Sequence, residues 1–275
     1  MNRAIETIAL AQLSALKAGL QRTWAAGDYS RIGTTLQIVG ERLAESMDLA
    51  AGMRVLDIAA GNGNASLAAA RRWCDVTATD IVPALLEQLS ARATAEGLDI
   101  ACREADAENL PFADGAMDAT MSTFGAMFAP DQARAAAELI RVTRPGGRIG
   151  LANWTPGGFV GRFFELLAHY NPPPPGLPMP TRWGVETVVD RYFASDCTDA
   201  TIRRRDYVFR YRSPQHWLAV FSQCCGMTRR TLAGLGPAQQ RSLQQDILHL
   251  IDEFNRAGDG TMVVASDYLE VVVRR

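Results

Sequence analysis

Three carboxylates stand where apolar segments end: Asp57 in Arg54-Val55-Leu56-Asp57-Ile58, Asp80 in Asp75-Val76-Thr77-Ala78-Thr79-Asp80, and Asp106 after Ile100 to Ala105. Between the first two lie Gly61 and Gly63, and Ala65 to Arg72 then reads as a helix with its arginines at the C-terminal end, where the dipole favours them. A glycine turn opening a helix is an anion-directed device, because it presents amides at the positive end of the dipole with no Cβ in front of them. A carboxylate at the end of the next strand suits a different job, since it can accept from both hydroxyls of a diol. Asp80 lies 17 residues past Gly63, close to the spacing at which nucleotide-binding α/β folds read a ribose. The less favoured reading is an ordinary helix N-cap. Asp57 also has two readings. Burying it costs several kcal/mol unless it is satisfied, so it either ties down the amides of the glycine loop or faces a cation bound across it.

The elements that must position these groups are legible from periodicity. Val55, Leu56 and Ile58 form the short apolar run of a strand covered on both faces. A second strand ends at Asp80, Pro83 opens a helix that stops at Gly97, and a third strand covers Ile100 to Ala105. Asp118 to Thr123 predicts a fourth strand ending in Phe124-Gly125. Asp131 to Thr143 predicts an amphipathic helix, and Arg144-Pro145-Gly146-Gly147 a turn before a fifth strand from Arg148 to Asn153. Thr201 to Arg210 and Met262 to Val273 are the two late strands, with helices at Pro214 to Gln223 and Pro237 to Arg256 between them. Strands alternating with helices predict a doubly wound, Rossmann-like α/β sheet whose ligand lies at the C-terminal edge of its strands.

The motifs Asp57-x-x-x-Gly61-x-Gly63, Asp106-Ala107-Glu108-x-Leu110-Pro111-Phe112 and Arg144-Pro145-Gly146-Gly147 together resemble those of class I S-adenosylmethionine-dependent methyltransferases, in the type 11 or ubiquinone/menaquinone-biosynthesis branch. That resemblance implies a seven-stranded sheet, five parallel strands followed by an antiparallel pair. It implies an N-terminal helical cap or lid over residues 1–50, a cofactor-binding core over 51–153 and an acceptor-binding region over 154–275. The implied cofactor is S-adenosylmethionine and the implied product S-adenosylhomocysteine. By analogy Asp57 lies near the cofactor's amino-acid end, the turn through Gly61, Asn62 and Gly63 lies beneath it, and Asp80 takes its ribose. Asp106 takes the adenine amino group, Ala107 offers its amide to the ring, and Thr123 and Phe124 flank the transferred methyl. Ala59, Ile81 and Glu108 complete the expected site, and Tyr29, in the break between two cap helices, is the expected contact from the cap. Ala59 and Ala60 depart from the pattern, since relatives more usually carry Gly and then Cys or a polar residue.

The acceptor side carries no signature. Fifteen of the 21 aromatic residues lie from Trp154 onward, and Trp154, Phe159, Phe163, Phe164, Tyr170 and Trp183 read either as core or as a pocket for a planar or apolar acceptor such as a phenol, a quinone-like ring or an amine. Phe124, Met127 and Phe128 have the same two readings, the last two with core preferred. A sulfonium is already activated, so a general base is needed only for a protonated acceptor. His169 and Tyr170 are then the candidate catalytic residues. The alternatives to a methyltransferase are a nicotinamide-dependent oxidoreductase, disfavoured by Ser66 at the third glycine position, and a non-catalytic binding module.

Composition excludes several classes. A net charge of −2 leaves no electrostatic footprint for nucleic acid. Only Lys17 among the 28 basic residues is lysine, and the run Arg203, Arg204, Arg205, Arg210 and Arg212 reads as a solvated edge or ion pairs. Five cysteines without C-x-x-C or histidine at ligand spacing indicate neither metal nor disulfides. With no apolar 18-mer, the expectation is a soluble cytoplasmic protein, monomer or homodimer, acting on a small molecule rather than at a membrane.

Overall fold

The structure, a computed structural model, describes residues 2–275, with side chains from Leu13 onward. The chain begins with the helices α1 (Asn2–Ala25), α2 (Tyr29–Ile32) and, after a 3-10 turn at Gly33–Leu36, α3 (Gln37–Ser46). It then alternates: β1 (Arg54–Ile58), α4 (Asn64–Ala70), β2 (Asp75–Asp80), α5 (Pro83–Ala95), β3 (Ile100–Glu104), β4 (Met117–Thr123), α6 (Gln132–Val142) and β5 (Thr143–Trp154). Two helices, α7 (Phe159–Tyr170) and α8 (Glu186–Phe193), lead to β6 (Thr198–Tyr211). Three more, α9 (Pro214–Cys224), α10 (Gly226–Ala233) and α11 (Pro237–Phe254), precede β7 (Met262–Arg274).

The seven strands form one sheet in the order β3-β2-β1-β4-β5-β7-β6. The first five strands pair in parallel, and β7 enters antiparallel between β5 and β6. This is the seven-stranded Rossmann-like arrangement expected from the sequence. The order reverses between β1 and β4, and a crevice must open at their C-terminal ends because the connections leave in opposite directions. Alternation along β1 splits the core: Val55 packs with Leu43, Ala65 and Met121 on one face, while Leu56 and Ile58 pack with Ile149, Leu151 and Leu139 on the other.

Three details differ from expectation. The Arg-Pro-Gly-Gly segment runs as the bulged start of β5, with Thr143 opposite Met117. The Thr143 hydroxyl lies 2.9 Å from that of Thr120 and donates to the Leu139 carbonyl, which fixes the chain where helix becomes strand. β6 is longer than expected at both ends. The helix α10 had no strong apolar stripe in sequence, and it is held against α1 by Arg230 and Arg229 rather than by burial alone.

Candidate functional site

At the reversal point the chain leaves β1 through Ala59, whose φ is 53°, and turns at Gly61, φ 57°. A Cβ added at Gly61 would meet no protein atom within 4 Å, so its bare backbone faces open space. Gly63 is different. Its φ of 91° also needs glycine, but a Cβ there would fall 2.4 Å from the Leu89 Cγ, so Gly63 serves the packing of the loop on α5 and does not line the cavity. The loop is tied down from several sides. Asn62 Nδ2 donates to the Tyr29 carbonyl at 2.7 Å, Asn64 Nδ2 to the Gly33 carbonyl at 2.6 Å, and Arg92 to the Asn62 carbonyl at 2.6 Å.

The cavity above this loop has a volume of about 750 Å³. It gathers ten of the expected site residues: Tyr29, Ala59, Gly61, Asn62, Asp80, Ile81, Asp106, Ala107, Thr123 and Phe124. Asp80 is buried beside it. One carboxylate oxygen accepts from the Gly61 amide at 2.9 Å and the other from the Val82 amide at 2.9 Å. Burial pushes its pKa up, and the bonds from Gly61, Val82 and Ile81 oppose that shift. The two sequence readings of Asp80 therefore coexist in geometry, since it braces the start of α5 and also faces the cavity. Asp106 holds the Glu108 amide at 2.9 Å and takes the Lys17 ammonium at 2.6 Å.

Asp57 requires a correction. It is 1% exposed and does not line the cavity. Its carboxylate accepts from the Ser66 hydroxyl at 2.5 Å, so it joins the end of β1 to α4 instead of facing a ligand. Burial raises its pKa to about 7, against the Ser66 hydroxyl and amide, which favour the anion. Ser66 occupies the place where a dinucleotide motif would have its third glycine, and this bond gives the serine its role. Glu108 is likewise absent from the lining; it is buried, accepting from the Asp131 amide at 2.7 Å and pairing with Lys17.

Neither expected catalytic residue reaches the site. His169 is exposed near the end of α7, and the Tyr170 hydroxyl donates to Asp246 on α11 at 2.5 Å and lies 2.9 Å from Ser242. Of the six aromatics read as a pocket, Trp154, Phe163 and Phe164 line the cavity, while Phe159 and Trp183 are fully buried core. Phe128, read as core, lines it too, with its ring centroid 4.5 Å from that of Trp24. The wall is completed by Phe209, Trp217, Phe221 and Met227, which the sequence reading missed. Their signal was the spacing of Trp217 and Phe221, one helical turn apart on α9, where the rings stack at 3.9 Å. At the floor Phe124, held at φ 54°, stacks on Trp154 at 3.9 Å with only 4° between ring planes.

The cap closes the other side. Ser14, Lys17, Gln21 and Trp24 of α1 face the cavity, and Gln21 Nε2 donates to the Ile81 carbonyl at 2.5 Å. Tyr29 accepts from the Gly226 amide at 3.3 Å through its hydroxyl. Burial raises its pKa well above the ordinary value, so it stays protonated. The arginine run lies apart from the cavity, with Arg203 and Arg204 reaching Glu270 and Asp267 on β7.

Comparison with known proteins agrees with this arrangement. Residues 55–147 match the family described as a methyltransferase domain. An uncharacterised protein of Mycobacterium tuberculosis is 45% identical over 186 residues, 67% of this chain and 68% of its own length. A demethylmenaquinone methyltransferase of Thermus thermophilus is 39% identical over 105 residues, 38% of this chain and 48% of that one. The YcgJ protein of Bacillus subtilis has the same fold, with a TM-score of 0.57 at 17% identity, over 88% of this chain and 98% of that one. The chain belongs to the class I S-adenosylmethionine-dependent methyltransferases. It is an enzyme of that class, and S-adenosylmethionine is its cofactor. No helix among the described residues is long and apolar enough to cross a membrane.

Proposed function

We propose that this enzyme transfers the methyl group to a small planar or apolar acceptor, a phenol, a quinone-like ring or an amine, within the 750 Å³ cavity. The observation that carries the reading is the division of the lining. Asp80, Asp106, the Gly61 loop and Ala107 gather at the ends of β1 to β3, and the opposite wall is Phe128, Phe163, Phe164, Phe209, Trp217 and Phe221. The cofactor fits the first group. Gly61 has no protein atom within reach of an added Cβ, and Asp80 keeps acceptor capacity after its two amide bonds, since a carboxylate offers about four lone-pair sites. Asp80 would hold the ribose hydroxyls, Asp106 and Ala107 the adenine, and Gly61 with Asn62 the backbone beneath. The bound cofactor supplies an electrophilic methyl that needs no further activation.

The chain's own task is then positioning and exclusion of water. Orientation of two reactants is worth at most about 7 to 11 kcal/mol. The stacked pair Phe124 and Trp154 gives a flat, rigid floor where the two halves of the cavity meet. Aromatic walls bury a planar acceptor with little loss of side-chain freedom. Calorimetry with S-adenosylhomocysteine, followed by a screen of phenolic, quinone and amine acceptors for S-adenosylhomocysteine release, tests the reading. Release only with charged, hydrophilic acceptors would refute it.

A further inference from the structure

The helix α1 is attached in two different ways. Its C-terminal end is rooted on α10: Arg230 donates to the Gly19 carbonyl and the Thr23 hydroxyl, both at 2.6 Å, and Arg229 to the Ala26 carbonyl. A Cβ at Gly226 would lie 2.0 Å from the Thr23 carbonyl oxygen, so the helices touch backbone to backbone. Within this root and two residues ahead of it, at Gln21 and Lys17, the helix is also fastened by side chains to the strand ends at the cavity. Gln21 reaches Ile81, and Lys17 lies between Asp106, at 2.6 Å, and Glu108.

The two carboxylates are not equivalent. The Glu108 side chain is 5% exposed and has the Asp131 amide as its other partner. Stripped of Lys17 it would be a nearly buried anion with one hydrogen bond, which is costly. Asp106 is 35% exposed and faces the cavity, so it can change partner cheaply. Lysine suits such an exchange, being a compact charge on a flexible stem with three donors. In a chain that uses arginine at every other basic position, this is the single lysine.

We propose that Lys17 is a positioning residue that latches α1 over the adenine end of the site: Glu108 retains it throughout, while Asp106 passes from Lys17 to the incoming cofactor. The inference rests on the cofactor reading above. Opening the latch frees the span of α1 that precedes the α10 root, and closing it shuts the nucleoside in.

Because Lys17 is the sole ε-amine, acetylation with an N-hydroxysuccinimide ester, followed at that residue by mass spectrometry, reads the latch directly. Lys17 should react several-fold more slowly than a free lysine, and faster with saturating S-adenosylhomocysteine though still more slowly than a free lysine, because Glu108 alone then holds it. Lys17→Met should raise the S-adenosylhomocysteine release rate about tenfold, the low end for loss of a hydrogen-bonded charge, and should lower the melting temperature, because Glu108 is left a buried anion without its counter-ion. Lys17→Arg should restore most of the slow release, which a purely structural role would not require. Labelling at the free-lysine rate, or release from Lys17→Met at the wild-type rate, would overturn the latch. If the wild-type protein shows no heat with S-adenosylhomocysteine, the cofactor assignment fails by itself. In that case slow labelling that Glu108→Gln accelerates still supports the latch, and labelling indifferent to Glu108→Gln rejects it.

Discussion

Asp57 gives a prediction whose sign can be worked through. Its carboxyl is enclosed between β1 and α4, with the Ser66 hydroxyl 2.5 Å away, and burial raises its pKa from 3.8 to about 7. A group whose folded pKa exceeds its unfolded value keeps its proton in the native state over a window where the unfolded chain has lost it. Its contribution to stability is therefore fully present below about pH 4 and is lost as pH rises through about 7. The shift from 3.8 to 7 is about three units, and at 1.36 kcal/mol per unit the contribution lost by pH 8 approaches about 4 kcal/mol. Asp57→Asn removes the titration and leaves an amide oxygen to accept from Ser66. The stability difference between variant and wild type should move in the variant's favour by about 2 to 3 kcal/mol between pH 5 and pH 8, the part of the shift that lies above pH 5, and then level off. Urea unfolding of both proteins across that range measures it, since other titrating groups cancel in the difference. Cofactor binding should survive, because Asp57 does not line the cavity. A pH-independent difference would refute the argument, and lost binding in a folded variant would return Asp57 to the ligand.

Three further outcomes follow from the same geometry. Ala59→Gly should raise stability by about 0.5 to 1 kcal/mol in thermal unfolding, because relief of a left-handed alanine, about 1 to 2 kcal/mol, exceeds the added entropy cost of glycine. Gly61→Val should abolish the calorimetric signal with S-adenosylhomocysteine while leaving a folded protein with a somewhat lower melting temperature, since the new side chain enters open space at a φ of 57°. Phe128→Ala and Phe221→Ala should leave S-adenosylhomocysteine affinity within a few-fold and depress methyl transfer, whereas Tyr170→Phe, whose lost bond is to Asp246, should change neither. Parallel calorimetry and turnover assays separate these cases.

The floor of the site was legible because its determinants are local. A strand end, a glycine turn and the next strand's terminal acid lie within about 27 residues, and each obeys a backbone rule that sequence states directly. Gly63 shows the limit of that reading. Glycine was required there, but for Leu89 on α5 rather than for a ligand, and spacing does not separate the two. Asp57 shows another. A buried acid can be satisfied by a ligand or by a hydroxyl nine residues on, and only three-dimensional proximity chooses Ser66. The roof was far less legible. It is assembled from α1, α7, β6, α9 and α10, which lie far apart in the chain. Whether an aromatic on such an element faces the cavity or the core depends on how the helix is rolled, as Phe163 and Phe159 on the same helix illustrate. His169 is one of three histidines and lies near the end of the helix that follows the fifth strand, and neither property says which way its ring points.

Among the described residues five non-glycine residues are held at positive φ, and two of them, Ala59 and Phe124, stand at the two strand ends where the sheet order reverses. Strain of that kind costs about 1 to 3 kcal/mol at each position and persists only where the surroundings over-determine it. Here the surroundings are specific. A Cβ at Gly125 would fall 2.3 Å from the Ala59 carbonyl oxygen, so the two chain reversals are pressed together backbone to backbone. The Phe124 amide is tied to the Ala152 carbonyl and its ring lies flat on Trp154. The Ser122 hydroxyl donates to the Ile58 carbonyl at 2.6 Å and accepts from the Ala126 amide at 2.9 Å, coupling β1 to the turn after β4. With both turns clamped, the bare Gly61 backbone and the face of Phe124 are fixed relative to one another before anything binds. In-line methyl transfer depends on that fixed geometry, because its rate is set by the alignment of two bound molecules rather than by an ionising side chain.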